Sequence, residues 1–265
     1  MKTITSRDNP GVKRLHGLAT SARDRRQHGQ TLLDGPHLVA AALDAGWPLW
    51  ELVVSDHGLA SAEIASLLER CAVLPVTHLT DPLFAHVSPV DAPSGLLAVI
   101  DLPAPLAAQC FEESLLVLDG VQDAGNLGTI LRTAAAAGLA DVLLTAGCAQ
   151  AWSPRVLRAG MGGHFRLRIH EHVEVGRALR GYPHPILATG LGADTRELYQ
   201  ADLRGPVAWL FGAEGRGVSP EVAALATGTV MIPMPGAVES LNVAAAAAVC
   251  LFEQVRQRRS AGESM

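Results

Sequence analysis

The sequence has no apolar run long enough to cross a bilayer. Its longest, residues 243–252, falls well short of the roughly 20 residues a spanning helix needs. No apolar segment near the start could act as a secretory signal, so a cytoplasmic location is expected. Paired cysteines are lacking too. Cys71, Cys110, Cys148 and Cys250 stand far apart, which excludes a zinc-ribbon spacing and a disulfide framework and leaves reduced, mostly buried thiols. The 10 histidines form no HExxH pattern. His170 and His172 have strand spacing and would share a face, but two ligands do not make a metal site, and no metal is expected. A dinucleotide GxGxxG and a Walker lysine are both missing.

A basic excess is also absent. Twenty-one Lys and Arg stand against 26 Asp and Glu, a net charge of −5, which argues against a nucleic-acid binder until the distribution is read. Residues 1–30 carry Lys2, Arg7, Lys13, Arg14, Arg23, Arg25 and Arg26 against Asp8 and Asp24, a local charge of +5. This basic N-terminal arm permits RNA contact; a solvated tail accounts for it equally.

What is present is an ordinary globular composition, 49% hydrophobic and 18% charged, in 265 residues, enough for one large domain or two moderate ones. Residues 31–100 alternate strands expected at 31–33, 49–54, 72–76 and 95–100 with helices at 36–45 and 60–70, the rhythm of a small layered α/β domain. Residues 101–113, with two prolines and no period, read as a connection. The second half repeats the pattern. Strands are expected at 115–118, 141–145, 166–170, 185–188, 207–211 and 229–233, and helices near 126–137, at 153–159 and from 240 to about 258. The unbroken apolar run at 115–118 suits a central parallel strand covered on both faces. Ser240 is the expected N-cap of the last helix, and the small residues 244–248 would let another backbone approach it.

Three segments place glycines and polar residues at expected strand ends, where open α/β sheets bind ligands. In LDGVQDAGNLGTILRTAAAAG, residues 118–138, Gly125, Asn126 and Gly128 lead into a helix bearing Arg132, a side chain able to grip a phosphate bidentately. A plain strand–loop–helix joint with a surface arginine has the same appearance. In WLFGAEGRGVS, residues 209–219, Gly212, Gly215 and Gly217 bracket Glu214 and Arg216. In VMIPMPGAVESLNVAAAAAV, residues 230–249, Ile232 and the prolines impose an irregular backbone before Glu239, Ser240, Leu241 and Asn242.

Together these segments resemble the three motifs of the SpoU (TrmH) branch of the SPOUT RNA methyltransferases: an NxGxxxR core, an FGxEGxG core and an IPM…ESLNV core, in the family's order. Residues 152–165, WSPRVLRAGMGGHF, resemble the intervening segment, with Arg158 and Gly162 at matching places. The N-terminal SRDNPGVKRLHGL and TLLDGPHLV resemble the substrate-binding domain of bacterial ribosomal RNA members. Departures are mild: Ala124 stands where proline is common, and Asp34 where glutamate is usual.

The resemblance implies an α/β fold with a C-terminal SPOUT-type parallel sheet threaded into a trefoil knot, and a small N-terminal α/β substrate-binding domain. It places an RNA-binding domain at residues 1–103, a linker at 104–113, the methyltransferase domain at 114–258 and a tail at 259–265. It implies methyl transfer from S-adenosylmethionine to a ribose 2′-hydroxyl by a cytoplasmic homodimer acting on 23S ribosomal RNA. Transfer RNA is the alternative substrate, and an inactive RNA-binding assembly protein the alternative function. Cofactor contacts are implied at Gly212, Ile232, Leu241 and Thr189. Arg132 matches the catalytic arginine, with Asn126, Glu214, Ser240 and Asn242 as the remaining polar catalytic positions.

Overall fold

The computed structural model describes every residue except 107–109, 191–194, 237 and 263–265, so parts of the expected linker and tail lie outside the described residues. The chain divides into two compact units. One comprises Met1–Ala104 with Trp152–Phe165; the other comprises Pro105–Ala151 with Arg166–Met265.

The first unit contains β1 (Lys2–Ile4), α1 (Pro10–Thr20), α2 (Ala22–His28), β2 (Gln30–Asp34), α3 (Pro36–Asp44), β3 (Glu51–Ser55), α4 (Asp56–Leu59), α5 (Ala62–Arg70), β4 (Val76–Leu79), α6 (Asp81–Val87) and β5 (Leu96–Asp101). Its sheet runs β1-β4-β3-β5-β2; β1, β3 and β4 are parallel, and β5 is antiparallel to both β3 and β2. The basic segment read as an arm is built into this domain. Val12, Leu15 and Leu18 form a helical stripe that enters the core beside Leu32 and Phe84, and the Asn9 and Ser21 side chains cap α1 and α2.

The fourth strand lies later than the composition suggested. After α5 the chain turns, the Leu74 amide donating to the Cys71 carbonyl at 2.8 Å, which leaves Val73 95% exposed and starts β4 only at Val76. Glycine is required at position 95, where φ is +91° and a β-carbon would come within 2.7 Å of the Gly58 α-carbon.

The second unit carries β6 (Leu115–Asp119), α7 (Ala124–Ala136), β7 (Asp141–Leu144), β8 (Arg168–His170), α9 (Val175–Ala178), β9 (Ile186–Thr189), β10 (Arg196–Glu197), β11 (Ala208–Gly212), α10 (Pro220–Ala223), β12 (Gly228–Met231) and α11 (Val243–Ser260). Its sheet is parallel throughout, in the order β10-β12-β9-β11-β6-β7-β8. The late strand β11 is inserted between β6 and β9, so both its neighbours are formed by earlier chain. Leu115 to Leu118 and Ala208 to Phe211 are buried along their whole length, as strands covered on both faces must be. α8 (Pro154–Gly160), which interrupts this unit in sequence, belongs to the first. There Arg158 pairs with the carboxylate of Asp34, 3% exposed, and the Thr31 hydroxyl donates to the Trp152 carbonyl at 2.8 Å.

The last helix starts at Val243 rather than at Ser240. The cap is Asn242, whose Oδ1 accepts from the Ala244 and Ala245 amides at 2.9 and 3.3 Å; a capping oxygen must lie one residue before the first helical turn, and Ser240 is too early. α11 packs on α7 of its own chain, with Ala244, Ala247, Cys250 and Leu251 buried and Phe252 exposed. A buried polar chain fixes it to the sheet. Trp209 Nε1 donates to Gln254 Oε1 at 2.8 Å, and Gln254 Nε2 donates to Ser114 Oγ and the Gly205 carbonyl at 3.0 Å each.

The histidine pair does not share a strand face. β8 ends at His170, and His172 follows in a left-handed conformation, φ +59°. His170 Nε2 instead lies 3.1 Å from Asp141 Oδ1, while Arg168 Nε and Nη2 hold both oxygens of that carboxylate at 2.8 and 2.5 Å. Burial would raise the Asp141 pKa, but the hydrogen bonds from His170 and Arg168 outweigh it and hold the group below the usual carboxylate range. Of the four thiols, Cys71 and Cys250 are buried and Cys110 is exposed.

A depressed carboxylate pKa stabilises the fold above the unfolded pKa, about 3.9, and the contribution disappears as pH falls through the lower folded value. Asp141→Asn therefore lowers the melting temperature at pH 7, and its deficit relative to the parent shrinks below about pH 4. A deficit that persists unchanged in acid would show that charge is not the source.

Candidate active site

Three loops leave the carboxyl ends of β6, its neighbour β11, and β12, which lies one strand beyond β11 across β9, and meet. The first follows β6, where Asp119 is placed by the buried leucines before it. Its Oδ1 accepts from the Thr145 hydroxyl at 3.0 Å and its Oδ2 from the Ser219 amide at 2.8 Å, which ties the far end of the glycine-rich loop to β6. Asp119 is not among the site residues expected from the sequence, because its role depends on contacts with Thr145 and Ser219 far along the chain. Asp123 then caps α7, accepting from the Asn126 amide at 2.7 Å, so the helix begins at Ala124 and Arg132 stands in its third turn.

The second loop follows β11. A β-carbon at Gly212 would lie 1.9 Å from the Gly217 carbonyl carbon and 2.1 Å from the Val218 nitrogen, so only glycine lets the chain fold back on itself here. The Gly217 amide closes the turn on the Ala213 carbonyl at 2.8 Å, and Gly215 and Gly217 take φ values of +78° and +69°. The third loop, after β12, carries Ile232, Met234, Ser240 and Leu241 and ends at Asn242, before α11.

One side-chain chain of hydrogen bonds joins all three. Asn242 spends its oxygen on the start of α11, so its Nδ2 faces outward and donates to Asn126 Oδ1 at 3.0 Å. Asn126 must then present Nδ2 to its other neighbour, and it donates to Glu214 Oε1. Each amide orientation is fixed by the one before it. Asn126, Glu214 and Asn242, drawn from separate motifs, are thus in contact.

Beside them lies a cavity of about 700 Å³, within the range of small-molecule sites. Gly212, Ile232, Leu241 and Thr189 all line it, as do Glu214, Ser240 and Asn242. Thr189, at the end of β9, donates its hydroxyl to the Leu210 carbonyl at 3.3 Å and keeps its lone pairs for another donor. Met234, Val243 and Ala246 add apolar wall that the motifs alone did not reveal. Two expected residues stand apart from the lining: Asn126 reaches it only through Glu214 and Asn242, and Arg132 does not line it. Arg132 is exposed on α7 and has no hydrogen bond or ion pair among the described residues.

The open parallel sheet with a cavity at its strand ends defines an α/β ligand-binding domain of the kind that holds nucleotide-like molecules. The chain belongs to the SpoU rRNA Methylase family, whose model matches residues 113–252, and residues 9–98 match an MRM3-like substrate binding domain. It is 35% identical to an uncharacterized tRNA/rRNA methyltransferase of Synechocystis, over 98% of this chain and 95% of that protein. It is 32% identical to the 23S rRNA (guanosine(2553)-2′-O)-methyltransferase of Bacillus subtilis, over 95% of this chain and 98% of that one. Among solved structures, the AdoMet-bound rRNA methyltransferase from Sinorhizobium meliloti superposes with a TM-score of 0.81 at 30% identity, covering 96% of this chain and 97% of its own. The SpoU methyltransferase AviRb of Streptomyces viridochromogenes, in complex with AdoMet, gives 0.84 at 27% identity, covering 95% and 99%.

Gly212→Ala forces the 213–218 turn off the end of β11 and costs about 1–3 kcal/mol. The shift is read from the urea midpoint and from amide exchange in that turn; an unaltered midpoint with unaltered exchange would contradict the packing argument.

Proposed function

We propose that this protein transfers a methyl group from S-adenosylmethionine to a ribose 2′-hydroxyl of 23S ribosomal RNA. The observation that carries the reading is the convergence of Thr189 at the end of β9, Gly212 at the end of β11, and Ile232 and Leu241 from the loop after β12, all within the matched segment, on a single cavity. The lining suits the cofactor. Ile232, Met234 and Leu241 offer an apolar wall to an adenine ring, while Thr189, Glu239 and Ser240 offer polar groups to a ribose and an amino acid moiety. The ribosomal substrate is supported by the MRM3-like domain and by the name of the B. subtilis relative.

When bound, S-adenosylmethionine supplies an activated, electrophilic methyl on its sulfonium. The protein's work is orientation and proton handling. Asn126 and Asn242 hold Glu214 at the cavity edge, and Ser240 and Glu214 position the ribose. Arg132 acts on the 2′-hydroxyl proton, directly or through the adjoining phosphate. Because Arg132 stands outside its own chain's cavity, the reading includes a homodimer in which Arg132 of the partner subunit completes the site. The exposed face of α11, with Ala245 and Phe252, is the surface offered for pairing. The family's trefoil threading belongs to the same reading, supported by the insertion of β11 between β6 and β9. No described helix is long and apolar enough to span a membrane; the reading includes a cytoplasmic location, which the bacterial ribosomal RNA relative supports.

The test is transfer of labelled methyl to unmodified 23S rRNA and to transfer RNA, followed by mapping of ribose methylation. Arg132→Ala lowers turnover by about 10²–10⁴-fold, the range of proton-transfer catalysis, with S-adenosylhomocysteine affinity retained. Turnover equal to the parent's would remove Arg132 from the chemistry, and methylation confined to transfer RNA would replace the ribosomal substrate.

A further inference from the structure

Arg216 is the one cationic side chain among the described residues that line the cavity. It occupies the tip of the turn after β11, between Gly215 and Gly217, both at positive φ. That turn is closed by the Ala213–Gly217 bridge and pressed against Gly212, so the backbone under Arg216 is held in place although the residue is exposed. Its guanidinium has no hydrogen bond or ion pair among the described residues, and the other charged lining residues, Glu214 and Glu239, are acidic. Glu214 is already engaged by Asn126.

An RNA strand entering this mouth meets an electrostatic difficulty. Every 2′-hydroxyl is followed by a phosphate on the same ribose, so placing the nucleophile in the cavity brings a negative charge to a rim that holds two carboxylates. A planar guanidinium offers paired donors that match two non-bridging phosphate oxygens. We infer that Arg216 binds the RNA backbone phosphate next to the target ribose and so positions the 2′-hydroxyl at the cavity mouth. The inference rests on the methyltransferase reading and adds to it a substrate-positioning residue outside the set implied by the family motifs. Because Arg216 projects from a glycine turn at the surface, its replacement leaves the fold and the remaining lining in place.

The experiment uses the full chain with Arg216→Gln and Arg216→Lys. Binding of unmodified 23S rRNA transcript is measured by filter retention across a salt series with S-adenosylhomocysteine present, and S-adenosylhomocysteine affinity is measured separately by calorimetry. Arg216→Gln weakens RNA binding roughly tenfold and flattens the dependence of log K on log salt by about 0.7–0.9, the signature of one lost phosphate contact. Arg216→Lys keeps the salt slope but recovers only part of the affinity, since the charge remains and the fork is lost. Calorimetric affinity stays at the parent value in both. A fall in S-adenosylhomocysteine affinity with RNA binding and slope unmoved would overturn the inference and assign Arg216 to the cofactor's carboxylate; no change in either would also overturn it. Methyl transfer by the parent protein is the separate control. Its failure while the Arg216 effects on RNA binding persist would remove the methyltransferase reading and leave the phosphate contact standing.

Discussion

Asn126 has one side-chain amide and two neighbours that require opposite ends of it. Asn242 can offer only its NH₂ group, because its oxygen is committed to the first amides of α11, and Glu214 can only accept. The orientation is therefore imposed from the helix end outward: the cap fixes Asn242, Asn242 fixes Asn126, and Asn126 fixes the carboxylate. Three loops that leave β6, β11 and β12 are held in register by these bonds, and the cavity is the space they enclose. The supporting structure is arranged to keep this chain taut. Asp119 ties the distal end of the glycine loop to β6, and Gln254 locks α11 to the buried Trp209.

The charge arrangement follows the same economy. A protein of net charge −5 cannot rely on a general attraction for RNA, so individual cations must be well placed. The basic residues near the N-terminus ride on folded helices: α1 commits Val12, Leu15 and Leu18 to the first unit's core, and α2 buries Arg25, which donates to the Leu18 carbonyl at 3.0 Å, while Arg23 and Arg26 stay exposed. Arg216 at the cavity and Arg132 away from it on α7 are both exposed and unpaired among the described residues, poised for a ligand rather than for the fold.

Much of this was legible in the sequence where a local rule governed the outcome. The continuous apolar run before Asp119 marked a central strand, and three clustered glycines after an apolar strand marked a tight turn at a ligand edge. The residues converging on the cavity were named from motif order, since spacing alone left a structural joint equally open. Other features lay beyond local reading. The start of α11 was displaced because Ser240 and Asn242 are both good caps, and only the bond to Asn126 makes the second one useful twice. The strand expected at 72–76 failed because a turn at Cys71–Leu74 exposes Val73. The stripe of Val12, Leu15 and Leu18 was hidden by Lys13, Arg14 and His16 between them, so a folded segment read as an arm. The attachment of Trp152–Phe165 to the first unit depends on Arg158 meeting Asp34, 124 residues away in sequence, which no period announces.

The central claim is that the amide relay acts as one unit, and a double-mutant cycle on methyl transfer measures that directly. Asn126→Ala removes the middle of the relay, and Asn242→Asp retains the helix cap while removing the donor. If the relay holds the three loops together, each single change costs nearly as much as the pair, with a coupling of about 1 kcal/mol or more. Losses that simply add in the double variant would mean the two asparagines act independently, and the account of how the site is held would be wrong.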